Sequence, residues 1–221
     1  SEKIFEKIRI ALYYYLIAFL NSRSHPLNGI VFMPEELILH IGTHKTGTSA
    51  LQWFFYHNSA LLDKNGIYYP HTGNEVGLAQ HWLVSSIMGN RNPRHSTSKS
   101  FTAYIDDLII ETREKAKVLI SSEMLCKCND FDQLELFKKV ADSIKIVVYL
   151  RRQDLFFESC FMQVVKNGGA NGSFDAYLED RMQISKDYYN LVNKWASLFG
   201  KENIIVRPYE KRQFIGGSIF S

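Results

Sequence analysis

Cysteine is scarce: the 221 residues hold three, Cys126, Cys128 and Cys160. An odd, small number argues against a disulfide scaffold and for a reducing compartment, so a cytoplasmic location is expected. Cys126-Lys127-Cys128 has no partner pair and does not read as a zinc site. No acidic metal cluster is visible either, and no metal is expected. Net charge is small, +3 at neutral pH. That balance suits an anionic ligand, but without a dense Lys/Arg run it gives no case for nucleic acid. The apolar run Ile10–Leu20 is shorter than the roughly 20 residues a bilayer span takes. Glu2 and Glu6 do not suit the flank of a secretory signal, and no small-residue cleavage site follows. Internal repeats and low-complexity segments are absent. The remaining picture is one sizeable packed domain with an appendage, at a normal hydrophobic content of 46%.

The appendage is residues 1–28. Ile4–Leu20 reads as an amphipathic helix docked on the domain, with weak membrane-surface contact as the alternative, and Asn21–Asn28 reads as a linker. Within 36–221, short apolar runs alternate with helical patterns. Strands are expected at Leu37–Ile41, Lys117–Glu123, Ile144–Leu150 and Asn203–Val206, with a short extended piece at Ile67–Pro70. Helices are expected from the loop after the first strand to Lys64, then over Leu78–Met88, Phe101–Glu114, Phe131–Val140, from Asp154 to about Asn167, and over Ser185–Phe199. This alternation predicts an α/β fold, a parallel sheet covered by helices on both faces, with ligands at the carboxyl ends of the strands.

The first strand runs into Gly42-Thr43-His44-Lys45-Thr46-Gly47-Thr48-Ser49 and then into a helix. Strand, glycine-bounded loop and helix make an anion cradle, because loop N–H groups and the unpaired N–H groups of the first helical turn converge where the helix dipole favours negative charge. Gly42 and Gly47 have the spacing of the nucleotide-binding loop G-x-x-x-x-G-K-[ST]. The lysine is displaced: Thr48 follows the second glycine, and Lys45 sits in mid-loop. A mid-loop lysine stands beside the innermost group of a short 5′-linked anion rather than the outer phosphates of a triphosphate.

A second anion pattern follows the third main strand. Arg151 ends that strand and Ser159 lies eight residues on, a little over two helical turns, on the side from which Arg151 enters. A guanidinium fork and a hydroxyl so placed can hold one phosphate. Arg152 is the alternative ligand at this point, and a surface pair of Arg151 with Asp154 or Glu158 is the non-functional reading.

GTHKTGTS resembles the 5′-phosphosulfate loop of sulfotransferases, and HIGTHKTGTSALQ resembles its form in bacterial members. YLRRQDLFFES resembles their segment for the 3′-phosphate, with Gln153 where many members carry proline. The resemblance runs from Leu37 to Gln213 and includes DYYNLVNKWASLFGKENIIVRPYE. It implies an α/β fold related to nucleotide kinases and a donor, 3′-phosphoadenosine 5′-phosphosulfate (PAPS), that leaves as 3′,5′-adenosine bisphosphate (PAP). It implies transfer of a sulfonate to a hydroxyl or amine without a metal. Gly42, Thr43, His44, Lys45, Thr46, Gly47, Thr48, Ser49, Arg151 and Ser159 are the implied donor contacts. Members continue past the point matching Gly216-Gly217, so the expectation is either a C-terminally truncated domain or, with a natural end there, an inactive module.

Transfer requires charge stabilisation on the leaving phosphate, an in-line acceptor and a base. Lys45 is the candidate for the first. Glu123, at a strand's carboxyl end, and His81 are the two candidates for the base, since members use either residue type. His44 is a further candidate contact to the sulfate, with a solvent-facing side chain as the alternative, and Arg91–Lys99 reads as a basic loop that holds an anionic acceptor, acts as a lid or simply faces solvent. Carbohydrate is the first acceptor expected, a small alcohol or phenol the second. A P-loop small-molecule kinase and an inactive nucleotide-binding module are the competing readings.

Overall fold

Alternation along the strands builds the two faces of the sheet. In β1, Glu36–His40, the side chains of Leu37 and Leu39 enter one core and Ile38 enters the other. In β3, Lys117–Ser121, Val118 and Ile120 join the first core and Leu119 the second. In β4, Ser143–Leu150, Ile144, Ile146 and Val148 join the first, while Val147 and Tyr149 pack on the second. A period of two with apolar residues in both phases is what a sheet buried on both faces requires.

The computed structural model describes residues 33–74, 77–89, 97–169, 172–182 and 187–219. The expected helix and linker over 1–28 lie outside these, as do 91–96 of the expected basic loop. Five parallel strands are ordered β2-β3-β1-β4-β5, with β2 at Ile67–Tyr68 and β5 at Ile204–Pro208. This is the α/β architecture that the alternation predicts. β1 is central: Leu39 pairs with Ile120 on one side and Ile146 on the other. After β1 the chain goes to β2 and β3 on one flank, then crosses to β4 and β5 on the other. The carboxyl end of β1 is therefore the switch point, where open α/β sheets form their binding crevice.

On one face α1, Thr48–His57, and α2, Ser59–Lys64, cover the second core through Leu51, Phe54, Phe55 and Leu62. On the other, α3, His81–Ile87, α4, Phe101–Glu111, and the later α8, Tyr188–Phe199, cover the larger core, where Leu83, Tyr104, Leu108 and Trp195 are buried. The segment between α4 and α8 holds α5, Phe131–Glu135, α6, Gln153–Lys166, and α7, Phe174–Met182.

Several boundaries differ from the sequence expectation. The helix expected to run to Lys64 is broken at Asn58, whose Nδ2 and backbone N–H both donate to Phe54 O and end α1. The helix expected over Phe131–Val140 tightens to a 3₁₀ turn at Leu136–Lys139. β3 stops at Ser121, and Glu123 opens a 3₁₀ turn, Glu123–Lys127, in which Ser122 Oγ accepts from Met124 N at 3.3 Å. α4 ends at Glu111, short of Glu114, whose φ of +66° is incompatible with a right-handed helix. The last strand runs on to Pro208. α7 is not signalled by its sequence, FDAYLEDRM, in which few apolar residues recur at helical spacing; Phe174 and Tyr177 pack on Phe161 of α6.

Candidate active site

The loop between β1 and α1 is shaped by three left-handed residues. Gly42 has φ +41°, Lys45 +66° and Gly47 +73°. A Cβ on Gly42 would lie 2.5 Å from Thr48 Cγ2, and one on Gly47 would lie 2.9 Å from the Tyr209 ring, so both positions need glycine for space as well as for φ. Lys45 has no such freedom, and an L-residue in this region costs roughly 1–2 kcal/mol. Two buried hydroxyls hold the turn: Thr46 Oγ1 donates to Thr43 O at 2.6 Å, and Thr43 Oγ1 donates to Tyr149 O at 3.1 Å. Those protons are committed inside the protein.

The backbone donors are not. Ala50 N and Leu51 N donate to Gly47 O, but the N–H groups of Lys45, Thr46, Gly47, Thr48 and Ser49 donate to nothing among the described residues. Gly47 supplies no side-chain cap, and the first turn of α1 carries no acidic residue. Buried or half-buried N–H groups are normally paired. Five unpaired ones converging on a helix N-terminus, with its positive dipole end, are arranged to take an anion.

The second half of the site comes from β4. Arg151 Nη1 donates to Lys45 O at 3.1 Å, and its guanidinium carbon lies 5.7 Å from the centre of the Tyr209 ring. Tyr188 Oη donates to Arg151 O at 2.7 Å and fixes the strand end from α8. Arg152, the alternative ligand, is exposed and forks onto Asp154, with Nε to Oδ1 at 2.8 Å and Nη2 to Oδ2 at 2.5 Å. This pairing draws the Asp154 carboxyl down to about 2. Asp154 thus binds Arg152, and Arg151 turns to the loop. Lys45 Nζ donates to Gln163 Oε1 in α6. Ser159 lies four residues before Gln163, half-buried on the same helix face. Lys45 thus reaches α6 one turn beyond Ser159, and Arg151 meets the loop at the Lys45 carbonyl.

Glu123 stands beside the loop, its Cβ 3.5 Å from where a Gly42 side chain would begin. Gln52, in α1, donates Nε2–H to Glu123 Oε2 at 2.8 Å. His81, the first residue of α3, has Nε2 3.8 Å from the same Oε2 and Nδ1 2.8 Å from Ser122 Oγ. Burial pushes the Glu123 carboxyl up, but His81, the Gln52 hydrogen bond, its own backbone N–H and His44 together outweigh it and hold the pKa below the usual carboxylate value. Glu123 is an anion at neutral pH. His81 is placed by its neighbour Gln80: Gln80 N donates to Ser121 O at 3.2 Å and Gln80 Oε1 accepts from Ser121 N at 2.9 Å, which ties the start of α3 to the end of β3.

Behind this group, His40 is fully buried at the end of β1. Register places it opposite Ser121, and its Nδ1 lies 2.7 Å from Ser121 Oγ. Burial drives its pKa to about 4, against a smaller upward pull from Glu123. His40 is neutral at pH 7. His44 and Ser49 complete the candidate set, half-buried and exposed respectively. Lys99, at the end of the expected basic loop, pairs with Asp107 and lies 4.6 Å from the Tyr104 ring centre.

Sequence reasoning overlooks Gln52, Gln80 and His40. The signal for Gln52 was a polar residue on the apolar face of α1, next to Leu51 and one turn before Phe55; it is 4% exposed. No helix among the described residues is long and apolar enough to cross a membrane, and no cluster of His, Cys, Asp and Glu among them has metal-ligand geometry.

No family profile matches the sequence. An uncharacterized protein of Archaeoglobus fulgidus is 34% identical over 103 residues, which are 46% of this chain and 27% of that protein. The chain thus aligns with about a quarter of that relative's length. The crystal structure of a sulfotransferase from Alicyclobacillus acidocaldarius is similar with a TM-score of 0.47 at 17% identity, over 81% of this chain and 74% of that one. A likeness of that degree assigns no residue a role.

Proposed function

We propose that the chain is a sulfotransferase domain that moves a sulfonate from PAPS to a hydroxyl or amine, with carbohydrate as the favoured acceptor and a small alcohol or phenol as the second. The observation that carries this reading is the joining of two anion-binding elements through one contact, Arg151 Nη1 to Lys45 O. The loop, with five unpaired N–H groups and Lys45, takes the 5′-phosphosulfate. Arg151 and Ser159 take the 3′-phosphate. A donor with phosphates on both sides of its ribose spans such a pair, and a nucleoside triphosphate, with one linear chain, does not need the second element.

In this reading Lys45 neutralises charge building on the leaving phosphate, helped by the N–H groups of Thr46, Gly47, Thr48 and Ser49. Glu123 is an anion beside the loop and serves as the base, while His81 and Gln52 hold its carboxylate. Release is PAP. The direct experiment is transfer of radiolabelled sulfonate from PAPS to a panel of sugars, alcohols and phenols, with thermal stabilisation by PAP against ATP and magnesium in parallel. Stabilisation by PAP and not by ATP, with a labelled product, supports the reading; stabilisation by magnesium-ATP alone transfers it to the kinase class.

A further inference from the structure

A cavity of about 280 Å³ opens beside the loop on the α8 side. Its volume is near the lower end of small-molecule sites, roughly 300 Å³. Thr43, Lys127, Asn129, Asp187, Tyr188 and Lys194 are among the residues that line it. Its charges do not balance. Lys194 is half-buried; its ammonium donates to Asn129 Oδ1 at 2.8 Å and lies 5.6 Å from the Phe131 ring centre, and neither group is an anion. Neither Lys194 nor Lys127 has a carboxylate within ion-pair distance among the described residues. The one carboxylate among the described lining residues, Asp187, caps α8, where it accepts from Asn190 N and Asn190 Nδ2.

Burial pulls the Lys194 pKa down, against an upward pull from the Cys128 and Cys126 thiols. A cation partly stripped of water without a counter-ion is a cost that a bound anion relieves. The cavity also touches both halves of the donor site. Thr43 anchors the loop on Tyr149 O, and Tyr188 holds Arg151 O.

We propose that this cavity takes a carboxylate or sulfate group carried by the acceptor, so that the substrate class is an acidic, polyhydroxylated molecule rather than a neutral alcohol. The proposal rests on the sulfotransferase reading for the word acceptor, and on the cavity alone for the charge. Lys194 and Lys127 take the anionic group, and the Asn129 and Asn190 amides face neighbouring hydroxyls.

The test is calorimetric titration of the PAP-saturated protein with D-glucuronate, D-glucose 6-sulfate and D-glucose. Binding of at least one charged sugar tenfold or more tighter than glucose is expected, and the better of the two identifies carboxylate or sulfate as the group read. Lys194→Met should abolish the preference, and Lys127→Met, at an exposed position that leaves folding intact, should reduce it about threefold. PAP affinity should be unchanged in both. Equal binding of all three sugars, no binding of either charged sugar, or an unchanged preference in both variants overturns the proposal. If the wild-type protein does not bind PAP, the sulfotransferase reading fails, and the same titrations without PAP decide the cavity alone: a charged-sugar preference lost in the variants keeps it, and its absence overturns it.

Discussion

Arg151 and Lys45, 106 residues apart in the chain, meet where Arg151 Nη1 donates to the Lys45 carbonyl at 3.1 Å. The contact fixes the one loop residue that is left-handed without being glycine. The Lys45 ammonium reaches Gln163 of α6, while the Arg151 guanidinium lies 5.7 Å from the centre of the Tyr209 ring. In the proposed reaction this pair meets charge that builds on the leaving phosphate.

Lys45→Ala is predicted to slow single-turnover sulfonate transfer at saturating donor by on the order of a hundredfold or more. Loss of one preorganised electrostatic contact of roughly 3 kcal/mol gives that size. Donor affinity should fall much less, because the contact strengthens in the transition state. Lys45→Arg should recover part of the rate only, since a planar fork does not replace a compact ammonium. Transfer by Lys45→Ala at near wild-type rate would remove Lys45 from the catalytic role.

Gly47→Ala tests the loop geometry. The substituent must adopt φ +73° and stand 2.9 Å from the Tyr209 ring and 3.0 Å from Ile219 Cδ1. The left-handed conformation costs roughly 1–2 kcal/mol before any contact is counted. At about 2–4 °C per kcal/mol for a domain of this size, Tm should drop by several degrees. PAP binding should weaken as well, because Gly47 carries one of the five unpaired N–H groups. An unchanged Tm would show that the loop relaxes freely.

With Glu123 as the proposed base, the acidic limb of the pH–rate profile is predicted to report this carboxylate. Its folded pKa is depressed, so the base is ionised across the neutral range and activity should fall only as pH drops below the ordinary carboxylate value of 4.5. Gln52→Ala removes a hydrogen bond to the charged form and should move that limb upward. His81→Ala should move it in the same direction. Glu123→Gln should abolish the limb along with most of the activity. A limb that stays in place in Gln52→Ala would assign it to a different group.

His40 gives a stability prediction with a definite sign. Its folded pKa of about 4 lies below its ordinary 6.5. As pH falls below 6.5 the unfolded chain takes up a proton that the folded protein refuses, so stability is full above 6.5, declines between 6.5 and 4, and loses nothing further from this group below 4. The difference corresponds to a few kcal/mol, on the order of 1.4 per pH unit. Urea unfolding at pH 7, 6, 5 and 4.5 should show the slope, and His40→Asn should flatten it. The same slope in His40→Asn would place the titration elsewhere.

The strand-loop-helix cradle was legible because its signals are local: an apolar run, two glycines at fixed spacing and a helical pattern. The sheet was legible because short apolar runs alternate with helical patterns along the chain. The sequence leaves Arg151 and Arg152 open as the phosphate ligand; in the structure Arg152 forks onto Asp154, two residues on, and Arg151 reaches the loop at Lys45 O. Gln52 and Gln80 were not legible as site residues. Their partners, Glu123 and Ser121, lie 71 and 41 residues away, and no local pattern records such a contact. The break at Asn58 was missed because a side chain that bonds back to Phe54 O leaves no mark in the hydrophobic period.

The central claim is that one ligand carries two anions into two joined elements. Calorimetric titration with PAP, adenosine 5′-monophosphate and magnesium-ATP, on wild type and Arg151→Ala, tests it most directly. The account predicts that wild type binds PAP at least tenfold tighter than the monophosphate, and that Arg151→Ala weakens PAP tenfold or more while the monophosphate changes little. Equal losses for PAP and the monophosphate, or tighter binding of magnesium-ATP than of PAP, would contradict it.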